Sequence, residues 1–445
     1  MSRLRPIHLG VDYGTSTSKL VIRDYAAPGG ERAVLIGKRY NYRFPSAVSC
    51  SGDKIFLGQQ PTGGLINGEH VTCYESIKMR VADEVKNRPG RYFYGARREF
   101  PDGFRARDFA TLSVWSLISE GEKTARNTLK DADIRLGMTL GVPMSFFADA
   151  ELRDEFLMIA RTAWHLHRNR GPIREDTINI NEARRWLDEA YQAVQLKSPL
   201  SPTQIRDWLR SEAEASMLWA FRSPGVPSGP YLKVDVGAGT TNASMFRIVD
   251  TFSEGQWIKS GFAFFGTFSG PYGMDAVDRD LAIHLGMDVD NCLDLRAQED
   301  RLLNDAGALD STRQTFRHIR NSPIEAWRRG YRKIMSSPYE VKAWEDANVF
   351  VIGGGSLVTP LRNFLATHPS GHNNTMPQRQ SDVPPDLDLE GGNSIPANLL
   401  PFVMVAYGLS NLGLAVPEAE TPDSIPPLTP MSGQERISHE EIYGE

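Results

Sequence analysis

Two stretches decide the reading of this chain: IHLGVDYGTSTSKLVIRD, Ile7 to Asp24, and YLKVDVGAGTTNASMFRIVD, Tyr231 to Asp250. Each runs from an apolar strand to an Asp, through a turn of Gly and hydroxyl residues, into a second apolar strand. In the first, Asp12 stands where the strand ends, and Gly14 lets the backbone turn sharply. Thr15, Ser16, Thr17 and Ser18 supply hydroxyls and closely spaced N–H groups, the makings of a concave anion-binding nest. Lys19 follows, placed to set a positive charge on a phosphate. A carboxylate beside phosphate oxygens is repulsive unless a cation lies between, so Asp12 implies Mg²⁺ held through waters. Alone, the segment reads at least as well as a plain hairpin whose Gly and Ser only make the turn.

The second stretch changes that weighing. Asp235, Gly237, Ala238, Gly239, Thr240 and Thr241 repeat the logic with a tighter glycine spacing, which allows close backbone approach to a phosphate. The repeat implies two related domains that grip one nucleotide, with Asp12 and Asp235 sharing one hydrated cation. A third element is VFVIGGGSLVTPLRNFL, Val349 to Leu365. An apolar strand leads to Gly353, Gly354, Gly355 and Ser356, and then to an amphipathic helix. Glycines at that junction let a flat ligand lie against backbone near a helix N-terminus. The element does not fit G-x-G-x-x-G, and no G-x-x-x-x-G-K-[ST] occurs in the chain, which excludes a P-loop.

Composition sets the outer bounds. The 445 residues allow two or three domains, and 40% hydrophobic with 24% charged residues is ordinary for a water-soluble fold. A net charge of −5 gives no nucleic-acid footprint. No apolar run reaches the ~20 residues of a membrane helix. The chain enters a strand almost at once, with no secretory signal, so a cytoplasmic protein is expected. Cys50, Cys73 and Cys292 are too scattered for a disulfide framework or a zinc site. His165 and His167 are two apart on one helix and do not face each other for metal binding.

Pattern divides the chain into an N-terminal lobe over 1–225 and a C-terminal lobe over 226–413, with a disordered tail over 414–445. In the first lobe, short strands fill 7–60 and a helix covers 104–130, with Asp108 not a clear cap. A strand spans 134–142 and a helix begins near Ala150. Residues 168–203 read as a surface elaboration around a helical stretch, NEARRWLDEAYQAVQ, and a helix from about Pro202 to Phe221 returns to the core. Pro224, Gly225, Pro227, Gly229 and Pro230 mark the boundary. In the second lobe, 275–345 is a mainly helical subdomain, 369–396 a polar loop, and a helix from Ala397 to Leu412 closes the fold.

In this order and spacing, the three elements resemble the actin-like ATPase superfamily of actin, sugar kinases and the 70-kDa heat-shock chaperones. The ATPase domain of the chaperones is the closer match. PSAVS at Pro45–Ser49, with FLGQQ after it, is similar to that family's early strand region. ESIKMRVAD, Glu75–Asp83, resembles the segment bearing its catalytic lysine, which implies that role for Lys78. LGVPMSFFADAELRDEFLMIARTAW is similar to its Val-Pro strand and following helix. SEAEASMLWAF, Ser211–Phe221, resembles its connecting helix and implies Glu212 as the water-positioning carboxylate, with Glu214 a rival. PYGMDAVDRDLAIHL is similar to its Gly-Gly-x-Asp helix start at Asp275, and VAYGLS, Val405–Ser410, to its final helix.

The resemblance implies an α/β actin-like fold, two related lobes of mixed sheet flanked by helices around a nucleotide cleft. It implies ATP and Mg²⁺ as cofactors, with Gly14–Ser16 and Gly237–Thr241 as phosphate loops and Gly353–Ser356 as the adenosine motif. Catalysis would fall to Asp12, Lys78, and Glu212 or Thr240. The chain departs from the chaperone pattern at Lys19, which is more like actin and plasmid-segregating filament proteins, and at Asn242, where the chaperones have Asp. No peptide-binding domain follows Leu414, so the expected protein is an ATP-driven switch acting through a protein partner or client. A self-assembling filament ATPase, a small-molecule kinase and a nucleotide binder without turnover are the alternatives.

Overall fold

The computed structural model describes residues 4–57, 64–66, 69–88, 98–129, 133–173, 177–196, 199–223, 225–253, 256–287, 302–303, 305–370, 375–379, 382–412, 418–420, 422 and 425. The architecture is mixed α/β. The first quoted stretch becomes the antiparallel strands Leu4–Asp12 and Thr17–Asp24, and Arg32–Ile36 continues the antiparallel run. On its other side Leu4–Asp12 pairs in parallel with Asp133–Val142, and that strand with Leu209–Ser211. The second stretch repeats this order. Gly229–Val236 is antiparallel to Thr241–Ser253, which is antiparallel to Gln256–Gly270. Asn348–Ile352 lies parallel on the far side of Gly229–Val236. A smaller sheet gathers Thr177–Asn179, Lys54–Leu57, Val48–Ser51, Glu69–Tyr74 and Gly64–Ile66.

Strand Leu4–Asp12 is buried on both faces from Ile7 onward, which is why it reads as an apolar run rather than an alternation. Helix Ala106–Thr128 covers one face, where Gly121 makes room for Leu9. Helix Leu400–Leu409 covers the other, and its backbone comes so close that a Cβ on Gly10 would stand 2.0 Å from the Ala406 carbonyl oxygen. The same helix crosses helix Glu212–Arg222 at Gly408, where a Cβ would meet the Ala215 carbonyl oxygen at 1.9 Å. Two chain-distant helices are thereby fixed against the first sheet, and one of them starts at Glu212. Aromatic contacts tie helix Glu212–Arg222 to the second sheet: Trp219 lies edge-on to Phe350, and Phe221 packs on Phe262.

Several expectations need correction. The continuous helix expected over 202–221 is interrupted: Pro202–Trp208 and Glu212–Arg222 flank the strand Leu209–Ser211. Those three residues are buried beside Leu140–Val142, and the Ser211 hydroxyl then accepts from the N–H groups of Ala213 and Glu214. Asp108 does help cap its helix, accepting from the Arg105 N–H at 2.7 Å. The elaboration over 168–203 contains helix Ile180–Gln195, which buries Ala183, Leu187, Ala190, Tyr191 and Val194 and so belongs to the core. The polar loop over 369–396 holds a strand, Leu387–Leu389, that joins the first sheet beside Arg32–Ile36. The tail from 414 is ordered in part. Glu418–Glu420 pairs in parallel with Gly261–Ala263, and Ile425 is buried in the cluster of Trp327 and Trp344. Pro224, Cys292, Leu414, Gln59, Gln60 and the rest of the tail lie outside the described residues. Among the described residues, no helix is long and apolar enough to cross a membrane.

Candidate functional site

The two hairpins share one register. Asp12 faces Lys19 across the first, and Asp235 faces Asn242 across the second, so each aspartate is paired with the residue seven positions on. In the first turn a Cβ on Gly14 would stand 2.1 Å from the Thr17 carbonyl oxygen, so only glycine fits. The second turn is closed by the Gly237 N–H on the Thr240 carbonyl, 2.9 Å. Its outer carbonyls, Gly237 and Ala238, accept from the N–H groups of Met274 and Asp275, the first residues of helix Met274–Leu285. Residues 15 and 239 are far apart in sequence, yet the turns meet. A Cβ on Gly239 would lie 2.7 Å from the Thr15 methyl carbon.

Six charged side chains converge behind these turns, all buried or nearly so. Asp12 has the Lys19 ammonium at 3.7 Å, and Lys19 also donates to the Thr17 carbonyl at 3.1 Å. Lys78, from helix Ile77–Val85, donates to the Tyr13 carbonyl at 2.8 Å and ion-pairs closely with Glu212. Lys233 lies 3.5 Å from Asp235 Oδ2 and donates to the Glu212 carbonyl at 3.3 Å. Burial, foremost, pushes the Asp12 carboxyl from 3.8 up to about 6; Lys19 and Lys78 pull it down, while Glu212 and Asp235 push it up. Contacts link the three acids: Glu212 reaches the Tyr13 carbonyl, next to Asp12, through Lys78, and its own carbonyl reaches Asp235 through Lys233.

The glycine element joins from the second sheet. Gly353 has φ +78°, and a Cβ there would fall 2.5 Å from the Val236 carbonyl and 2.6 Å from Asp235 Oδ1. Its N–H donates to the Pro401 carbonyl at 3.2 Å. Gly354 lies beside the Phe402 ring, and Gly355 beside Val236 and Met274. Ser356 is buried and its hydroxyl donates to the Gly353 carbonyl, so it shapes the turn. Thr240 is buried at the closing end of the second turn, and the Thr241 hydroxyl donates to the Tyr272 carbonyl at 2.8 Å. Asp12, Lys19, Lys78, Glu212, Asp235 and the glycines of the third element thus gather around the two turns, whereas Glu214 does not.

Two points go beyond the sequence reading. Glu214 does not compete with Glu212: it is buried on the other side of its helix turn, 3.6 Å from Arg206 and within the field of Arg210. Its carboxyl is raised by burial, with both arginines opposing. Lys233 was not anticipated. The signal was present, since a lysine inside the apolar YLKVDV strand, two residues before Asp235, must share that aspartate's face. Beside Lys233 is a small cavity, about 10 Å³, lined also by Glu212, Asn242, Ser145 and Ser269, with room for one water. The Asn242 Oδ1 is buried there with no hydrogen-bond partner among the described residues.

The donor set suits a hard cation. Asp12, Asp235 and the unpartnered amide oxygen of Asn242, which faces Asp235 across the hairpin, would suit Mg²⁺ if phosphates and waters completed its shell. Among the described residues there is no cluster of three or more His, Cys, Asp or Glu that could hold a metal unaided. Compared with models of known protein families and with the curated proteins, this chain matches none.

Proposed function

We propose that the protein binds Mg²⁺–ATP between its two hairpins and hydrolyses it, as a switch protein with the two-lobed fold of the actin-like ATPases. The observation that carries this is the apposition of two hairpins of identical register, whose turns touch and whose aspartates act on each other. A repeated anion nest with a carboxylate behind each copy suits a polyphosphate bridged by a cation. The turns are in contact, so a nucleotide must part them to enter. Parting and closing would couple occupancy to the relative position of the two sheets, which is the basis for expecting a protein partner or client.

The chain's own groups divide the work. Asp12 and Asp235 would hold the cation through its waters, with Asn242 as a further oxygen; when bound, the cation neutralises phosphate oxygens. The turns Gly14–Ser16 and Gly237–Thr241 would cradle the phosphates, with the Gly237 N–H itself holding the second turn closed, and Gly353–Ser356 would face the nucleoside. Lys78 is held on the Tyr13 carbonyl and Glu212, and from there it would stabilise charge developing on the γ-phosphate. Glu212 would accept a hydrogen bond from the attacking water. Such transition states are loose and need positioning and charge neutralisation more than covalent chemistry. The test is calorimetric ATP binding with and without Mg²⁺, paired with phosphate release, for wild type and Asp12→Ala. Unchanged binding and turnover in Asp12→Ala refute the site.

A further inference from the structure

We propose that Lys233 is the resident counter-charge of Asp235 and sets the order of assembly, so that the divalent cation enters only together with the nucleotide's phosphates. This rests on the nucleotide reading above and adds what governs the cation's entry. Every acid of the site already has its own ammonium: Lys19 for Asp12, Lys78 for Glu212, Lys233 for Asp235. Three positive and three negative side chains leave the site formally neutral. A bare divalent cation arriving there meets no net negative charge, and it meets ammonium groups beside both of its carboxylates.

Lys233 differs from the other two lysines. Lys19 is partly exposed and could swing to solvent, and Lys78, buried like Lys233, is paired with Glu212 and not with either of the two aspartates proposed to hold the cation. Lys233 is 1% exposed on a central strand, and it is held between Asp235 and the Glu212 carbonyl. It cannot leave for water without breaking the sheet's packing. Its charge is therefore a fixed part of the site. Neutrality is broken only when phosphate oxygens bring additional negative charge, and the complex of cation and polyphosphate then becomes the species that fits. Lys233 acts through Asp235 and is a positioning residue.

Mn²⁺ is the probe, with the free ion followed by electron paramagnetic resonance on the full chain without nucleotide. Wild type should take up Mn²⁺ weakly, and Lys233→Met at least about tenfold more tightly, since one unit of positive charge a few ångströms from the ligand is gone. Lys233→Arg should restore exclusion. Adding Asp235→Asn to Lys233→Met should abolish the gain and also leaves a neutral pair that can fold. If Lys233→Met does not fold, Lys233→Gln carries the same comparison and keeps a donor toward the Glu212 carbonyl. Tight Mn²⁺ uptake by nucleotide-free wild type overturns the proposal, as does a gain that survives Asp235→Asn. Failure of the nucleotide reading appears separately, as absence of ATP binding at saturating Mg²⁺ in the calorimeter.

Discussion

Asp12→Asn should make the nucleotide-free protein more stable at neutral pH while removing Mg²⁺-dependent ATP binding. Asparagine keeps the shape of Asp12 and removes a charge whose burial is unfavourable. The carboxyl is raised from 3.8 to about 6, a displacement worth about 3 kcal/mol. The pull of Lys19, 3.7 Å away, is already contained in that net rise; part of the gain is given back because the asparagine amide must itself be buried there. The net gain is about 1–2 kcal/mol, or a melting temperature higher by about 2 °C for a chain of this size. The sign depends on pH. A group whose pKa is raised in the fold contributes stability that is fully present below its unfolded value and is lost as pH rises through its folded value. Wild type thus loses this contribution between about pH 4 and 6, and the variant, which cannot titrate there, does not. Thermal melts from pH 7.5 to 4.5 should show the gap between them closing as the pH falls. A variant less stable than wild type at pH 7, or a gap independent of pH, refutes the reasoning.

Other perturbations follow from the same geometry. Lys78→Met leaves Glu212 buried without its partner and should cost about 3–5 kcal/mol in urea unfolding. Lys78→Met with Glu212→Gln should recover most of that stability while phosphate release stays down by roughly 10²–10³. Gly353→Ala forces a side chain into a left-handed backbone and against Asp235, and should destabilise by more than about 1 kcal/mol and weaken ATP binding; Gly354→Ala, which meets only the movable Phe402 ring, should be milder in both measurements. Ile425→Ser should lower the melting temperature through loss of burial against Trp327 and Trp344, by about 1–3 kcal/mol, and leave ATP affinity unchanged.

The hairpins were legible because each is a local object: apolar strand, Asp, turn and apolar strand lie within twenty residues, and the turn chemistry marks the bend. Glu212 and Lys78 were reached through resemblance to a family, and their ion pair depends on tertiary packing that no spacing reveals. The choice between Glu212 and Glu214 could not be made from sequence, since it turns on Arg206 and Arg210 being on one side of the helix start. Strand Leu209–Ser211 escaped because three residues between two helical patterns carry almost no period. Strand Leu387–Leu389 escaped for another reason. It reads as Leu-Asp-Leu in a polar stretch, and its partner lies at the other end of the chain. Lys233 was readable by simple alternation along its strand and was passed over among the apolar residues around it.

That late strand has a consequence for how the chain must come together. Asp386 and Asp388 pair with Arg23 and Arg32, and Glu390 accepts from the Gly37 and Lys38 N–H groups, so the far edge of the first sheet is completed by residues made long after it, Glu390 standing 353 positions beyond Gly37. Until residue 389 leaves the ribosome, Arg32–Ile36 presents open backbone groups that invite pairing with a stranger. The two sheets cannot mature as independent beads on a string. The second half finishes the first, and a fragment cut at residue 225 would be left with a raw seam where its last strand belongs.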